Sequence, residues 1–162
     1  MVTNIIIVVL MAVVIATAIN IIGDITKKNN SRISFKESMD LTELPVVTFY
    51  NEHNKLNFLL DTGSNLSYIN RAILDNLTYN DVDEKIMVLG TAGECSSEYS
   101  CIMTITYNNQ NFEEKFSVMD MDDIFKAIKQ ESGVQIHGIL GSKFFEKYKY
   151  VIDFSNLVAY MK

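Results

Sequence analysis

The stretch that most constrains this chain is Phe58-Leu59-Leu60-Asp61-Thr62-Gly63-Ser64-Asn65. Three large apolar residues read as a buried strand. The strand then ends in a carboxylate, which is costly beside a dry segment unless neighbouring groups stabilise it. The residues that follow can do so. Gly63 permits a tight turn and close backbone approach. Thr62 and Ser64 bring short hydroxyls that can bond the carboxylate or the local backbone. On its own, such a sequence is most simply a strand ending in an Asx or Ser/Thr turn. The large apolar residues before it, and the second apolar segment Leu66-Ser67-Tyr68-Ile69 after it, favour a functional loop.

The 162 residues have room for one modest domain, and the net charge is -6. Lys and Arg are scattered without a basic stripe, which argues against a nucleic-acid partner. Cys95, Cys101, His53 and His137 do not form a metal-ligand pattern. If a hairpin tip lies at residues 90–93, both cysteines fall on its descending strand, about 20 Å apart. That distance is too great to bridge, so free thiols are expected.

Residues 5–22 are apolar except for Thr17 and Asn20. The 18-residue run is near the minimum for a bilayer-spanning helix. No Lys or Arg precedes it, and apolar residues resume after Ala16-Thr17-Ala18. An uncleaved anchor is therefore favoured over a signal peptide. Lys27, Lys28, Arg32 and Lys36 follow the run, which puts the folded part on the cytoplasmic side; after signal cleavage it would instead be secreted or periplasmic. The expected organisation is a transmembrane anchor over residues 1–23, a polar juxtamembrane linker over 24–43, with Ile33 and Phe35 docking, and a folded domain over 44–162.

Within that domain, residues 46–50 and 56–60 read as a hairpin and Leu66-Ser67-Tyr68-Ile69 as a short strand. Asn70 can cap a short helix through Leu77. Residues 86–89 form a strand running into the small-residue loop Gly90-Thr91-Ala92-Gly93. Residues 99–107 are β-rich, and Asn108-Asn109-Gln110-Asn111 is a turn. Phe112, Phe116 and Val118 mark a half-buried strand. Residues 120–131 read as a helix capped by Asp120 or Asp122, with Ile124, Phe125 and Ile128 facing the core and Gly133 ending it. A short helix over 142–148, capped by Ser142, and two strands at 150–154 and 157–161 complete the domain.

With its apolar approach, Asp61-Thr62-Gly63-Ser64 resembles the active-site motif of aspartic proteases. Ile139-Leu140-Gly141 resembles the family's second signature, and residues 90–93 lie where the family carries its flap. This order is similar to a retroviral-type (retropepsin-like) protease monomer over residues 44–161. The resemblance implies a mainly β fold, a closed acid-protease β-barrel half-domain with two or three short helices. Asp-Thr-Gly occurs once, so the resemblance also implies a homodimer in which each subunit supplies Asp61. Asp61 would be catalytic, with Thr62 bonding across the axis, Gly63 donating its N–H to the carboxylate, and Ser64 bonding the outer carboxylate oxygen. Gly90, Thr91, Ala92 and Gly93 would close over a polypeptide substrate. Neither a metal nor an organic cofactor is implied.

Other readings carry less weight. His137, in an apolar segment with no partner motif, reads as a satisfied histidine rather than a catalytic one. Ser64 and Ser142 lack a nucleophile-elbow context. Asp120, Asp122 and Asp123 suit a solvated helix start better than a calcium loop. The main rival function is a non-catalytic peptide-binding or dimerisation module on a protease-like fold.

Overall fold

Strands β1 (Val46–Asn51) and β2 (Asn54–Asp61) form an antiparallel hairpin around Glu52 and His53. Val46, Phe49, Leu56, Phe58 and Leu60 are buried, so these apolar side chains drive the pairing. The computed structural model describes residues 33–82, 87–90, 93–96 and 99–161. β3 (Ser67–Asn70) leads into a 3-10 turn at Arg71–Asn76, and β4 (Asn80–Val82) follows. β5 (Met87–Gly90) and β6 (Gly93–Ser96) pair antiparallel as a separate two-stranded sheet. β7 (Ser100–Tyr107) and β8 (Gln110–Met119) form the longest hairpin, turning through Asn108 and Asn109. Both asparagines have positive φ, 48° and 62°. Such a two-residue turn matches strand twist, and Asn tolerates it better than most residues.

With β9 at Gly138–Gly141, the strand order β1-β2-β9-β3-β8-β7 closes through a β1–β7 pairing at Tyr50 and Thr106. The result is a six-stranded barrel, and β4 pairs with the start of β7 at residues 100–102. β9 (Gly138–Gly141) lies between β2 and β3, parallel to the first and antiparallel to the second. Phe49, Phe58, Phe112, Phe116 and Phe144 fill the interior. Phe49 meets Phe58 edge-on at 5.9 Å, and Phe58 stacks on Phe116 at 5.5 Å. A smaller cluster gathers Ile33, Val46, Tyr68, Met121, Phe125, Val134 and Ile136. β10 (Tyr150–Asp153) and β11 (Val158–Met161) form a terminal hairpin.

Among the described residues, three α-helices accompany the barrel. The first, α1 (Phe35–Thr42), occupies part of the stretch expected to be a polar linker. Ser34 Oγ accepts from Glu37 N–H at 3.1 Å. Phe35 and Ser38 are buried, and one compact unit begins at Ile33. The folded part therefore starts about a helix earlier than the expected boundary at residue 44. The signal was present as Ser34-x-x-Glu37, an N-terminal capping pattern.

The second helix, α2 (Asp122–Ser132), ends at Gly133 in the left-handed region, φ 77°. Its start differs from expectation in position: the N-cap residue is Met121, which makes no side-chain cap. Asp120 Oδ1 nevertheless accepts from Asp122 N–H at 3.1 Å, covering the first helical donor from one residue earlier. The buried Asn70 adds to it, accepting from Met121 N–H at 3.2 Å and donating to Asp122 Oδ1 at 2.8 Å. Asn70 thus caps a helix remote in sequence and makes no side-chain cap for the 3-10 turn that follows it. Within α2, Phe125 is buried and Ile128 packs on the smaller cluster, whereas Ile124 is 65% exposed. The third helix, α3 (Ser142–Tyr148), has Gly141 as its N-cap residue and makes no side-chain cap, so Ser142 is its first residue rather than its cap. Among the described residues no helix is long and apolar enough to cross a membrane. The apolar run 5–22 lies outside the described residues.

Candidate active site

Asp61 is the last residue of β2 and stands opposite Gly141, the last residue of β9, in a parallel register. The preceding pairs, Leu59 with Ile139 and Leu60 with Leu140, bring the two sequence signatures side by side. Leu60 and Leu140 are buried and fix the depth of both strands. Asp61 then emerges half-exposed, followed by exposed Thr62 and Gly63. Leucines below and solvent above place the carboxylate at the rim of the core.

The loop is held mainly by backbone. Gly63 N–H donates to Asp61 Oδ1 at 2.9 Å, and Ser64 N–H donates to Asp61 C=O at 3.3 Å. Ser142 N–H, in the first turn of α3, donates to Ser64 C=O at 2.7 Å. A Cβ added to Gly141 would sit 2.3 Å from Leu66 O, so only glycine allows this approach. Ser64 behaves differently from expectation: its hydroxyl donates to Leu66 O at 2.8 Å, closing the turn rather than bonding the outer carboxylate oxygen. Thr62 is exposed, so its side chain faces solvent in the single chain.

A second tier of polar groups lies beneath the loop, and the sequence reading did not single it out. Ser67, at the start of β3, is buried; its Oγ accepts from Gly141 N–H at 3.3 Å and donates to Glu114 Oε1 at 2.8 Å. Glu114 is 6% exposed, and Lys147 Nζ lies 3.8 Å from its other oxygen. Burial raises the Glu114 carboxyl above its ordinary range, while Ser67 and Lys147 pull it back. These groups border a cavity of about 480 Å³ that Asn65, Leu66 and Lys143 also line. A signal existed in the alternation of β8: Glu114 falls in phase with the buried Phe112 and Phe116.

The expected flap coincides with the β5–β6 hairpin, in which Gly90 pairs with Gly93. Thr91 and Ala92, between them, lie outside the described residues. Cys101 is a buried free thiol, pushed up to about 12 chiefly by burial, so it is protonated and unreactive at neutral pH. His137 is half-buried and satisfied: Nδ1 accepts from Asn57 N–H at 2.9 Å. Burial, with Lys55 and Lys129 nearby, lowers it to about 4.

Residues 46–144, spanning both signatures, match the aspartyl protease family. No curated protein matches the chain. Among solved structures, the retroviral protease-like domain of Ddi1 from Leishmania major aligns with a TM-score of 0.50 at 11% identity, covering 74% of this chain and 86% of that one. EIAV protease complexed with the inhibitor HBY-793 aligns at 0.48 and 21% identity, covering 67% of this chain and 90% of that one. The closed barrel, the adjacent Asp61 and Gly141 strand ends, and the matched segment agree: the chain has a retropepsin-like fold and belongs to the aspartyl protease family.

Proposed function

We propose that this protein is an aspartic endopeptidase whose active site forms when two copies bring their Asp61 carboxylates together. The carrying observation is a single Asp-Thr-Gly turn that ends a buried strand and leaves Asp61, Thr62 and Gly63 at the surface. Two neighbouring carboxylates cannot both ionise cheaply, so the pair shares one proton and titrates in two separated steps. The ionised Asp61 takes a proton from a water that attacks the peptide carbonyl. The protonated Asp61 hydrogen-bonds the carbonyl oxygen and then supplies a proton to the leaving nitrogen. Gly63 N–H, already on Oδ1, orients the carboxylate through both steps. Thr62 has its side chain free to bond across the two-fold axis, and the hairpin bearing Gly90 and Gly93 closes over an extended polypeptide and excludes water.

The apolar run 5–22 fits this reading as an anchor that concentrates the subunits on a membrane and favours their pairing. The basic residues after it favour a cytoplasmic-facing domain. Mass spectrometry of the membrane fraction, with protease protection of sealed vesicles, tests both parts; a chain starting at Ile19 would instead show signal cleavage.

Cleavage of a peptide library tests the chemistry. The wild type cleaves, and Asp61→Asn lowers turnover about 10³-fold or more while leaving thermal unfolding unchanged. Activity rises with dimer fraction in sedimentation across concentration. Full activity from a strict monomer would overturn the shared site. Tight peptide binding without turnover, unchanged in Asp61→Asn, would instead support the peptide-binding module.

A further inference from the structure

We propose that Glu114 is a positioning residue for the Asp61 loop, acting through Ser67 and Gly141. The inference rests on the protease reading above. The chain of contacts is continuous. Lys147 Nζ stands 3.8 Å from Glu114 Oε2. Glu114 Oε1 accepts from Ser67 Oγ at 2.8 Å, and Ser67 Oγ accepts from Gly141 N–H at 3.3 Å. Gly141 is paired with Asp61.

The direction of each bond matters. A carboxylate only accepts, so it commits the single hydroxyl proton of Ser67 toward Glu114. The lone pairs of Ser67 are then turned toward Gly141 N–H. That N–H belongs to the residue with no lateral freedom, because Leu66 O already occupies the space where a Cβ would stand. Ser67 and Leu66 therefore hold Gly141 from two sides, and Gly141 sets the backbone height of Asp61 across the sheet. Two such loops must meet for the dyad to form, and a small displacement of reacting groups costs rate far more than it costs folding.

Stability gives no competing reason for an acid here. Glu114 shares its face of β8 with Phe112 and Phe116, both buried. Burying a charge there is costly, and replacing a whole buried charged network by well-packed apolar groups is often neutral or stabilising. A carboxylate between two phenylalanines is explained by what it orients.

The test compares Glu114→Ala, Glu114→Gln, Ser67→Ala and the double variant Glu114→Ala/Ser67→Ala in the full chain. Three readouts are used: kcat and KM on a cleavable peptide, the urea unfolding midpoint, and hydrogen exchange of Gly141 N–H. Glu114→Ala lowers kcat about tenfold or more, with KM within about twofold, a loss larger than its fall in unfolding midpoint accounts for. Gly141 N–H exchanges faster, while the Leu140 N–H does not. Glu114→Gln, whose amide oxygen still accepts from Ser67, recovers most of the rate. Ser67→Ala matches Glu114→Ala, and the double variant loses no more than either, as expected for one linear unit.

Wild-type kcat in Glu114→Ala, a rate loss that tracks the unfolding midpoint, or additive losses in the double variant would overturn the inference. Wild type and Asp61→Asn, run alongside, separate the two levels. An active wild type with a dead Asp61→Asn and an unaffected Glu114→Ala removes only this proposal. An inactive wild type removes the protease reading, and unchanged Gly141 exchange in Glu114→Ala then removes the positioning link as well.

Discussion

The two ends of β9 face the same packing problem and are held by different chemistry. Gly138 and Gly141 both lie against backbone: a Cβ would sit 2.4 Å from Tyr68 O at the first and 2.3 Å from Leu66 O at the second. Around Gly138 the closure is made by neutral groups. Asn57 N–H donates to His137 Nδ1, and His137 N–H returns a bond to Asn57 C=O, each at 2.9 Å. Asn57 also accepts from Thr48 at 2.8 Å and donates to Gln135 C=O at 2.8 Å. Around Gly141 the closure involves a buried carboxylate, a lysine and the exposed turn after Asp61. The Gly138 end is complete within one chain. The Gly141 end exposes the residues that the proposed partner would cover. A neutral network suits a joint that only has to persist, whereas a charged one suits a joint that must orient a reactive group.

The sharpest way to break this comparison is to add a methyl group at each end. Gly138→Ala and Gly141→Ala each cost about 2 kcal/mol or more, because backbone rather than a flexible side chain must yield. Urea unfolding measures both. Among molecules that remain folded, Gly141→Ala loses peptidase activity and Gly138→Ala keeps it. Equal loss of activity in the two variants would remove the functional difference between the ends.

The second prediction concerns pH. His137 must be neutral in the folded protein for Nδ1 to accept, and its folded value is about 4 against an ordinary 6.5. As pH falls from 6.5 toward 4, the unfolded chain takes up a proton that the folded chain does not, so stability is lost over that window. The loss reaches about 3 kcal/mol. Glu114 has the opposite sign: its raised carboxyl holds a proton longer in the folded state, so its cost to stability grows as pH rises above the ordinary carboxyl value. Urea midpoints between pH 7 and 4 should therefore fall with acid in the wild type and flatten in His137→Gln. Glu114→Gln should leave the acid-side fall in place.

The smallest effect is expected away from both joints. Asn70→Ala removes the cap that β3 supplies to α2 and leaves Met121 N–H without its acceptor. The cost is about 1 kcal/mol. Hydrogen exchange localises it to the first turn of α2, with cleavage of peptide little changed.

Much of the fold was legible because strand signals are local. The alternation at Phe112, Phe116 and Val118, the turn at Asn108 and Asn109, and the Gly133 helix stop each depend on a few adjacent residues. The same holds for Asp61-Thr62-Gly63, whose turn is made largely by its own backbone. The Ser64 hydroxyl departs from expectation because it bonds the Leu66 carbonyl, two residues on, and so closes its own turn. Asn70 and Ile124 depart from expectation for another reason. Their roles depend on where α2 packs, a relation between segments about 50 residues apart in sequence. Helix α1 is hidden by its polar composition, although Ser34 and Glu37 mark its start.

By itself, the sequence determined that a carboxylate would stand at the end of a buried strand, followed by a glycine turn, and that one such motif would be present per chain. These are properties of local hydrophobicity, backbone freedom and counting. Only the tertiary structure decided that β9 would lie between β2 and β3, placing Gly141 beside Asp61 and Ser67 on Gly141. It also decided that Glu114 would lie beneath them. Those placements arise from closing the barrel, where strands distant in sequence must share one core, and periodicity carries no record of which strands become neighbours.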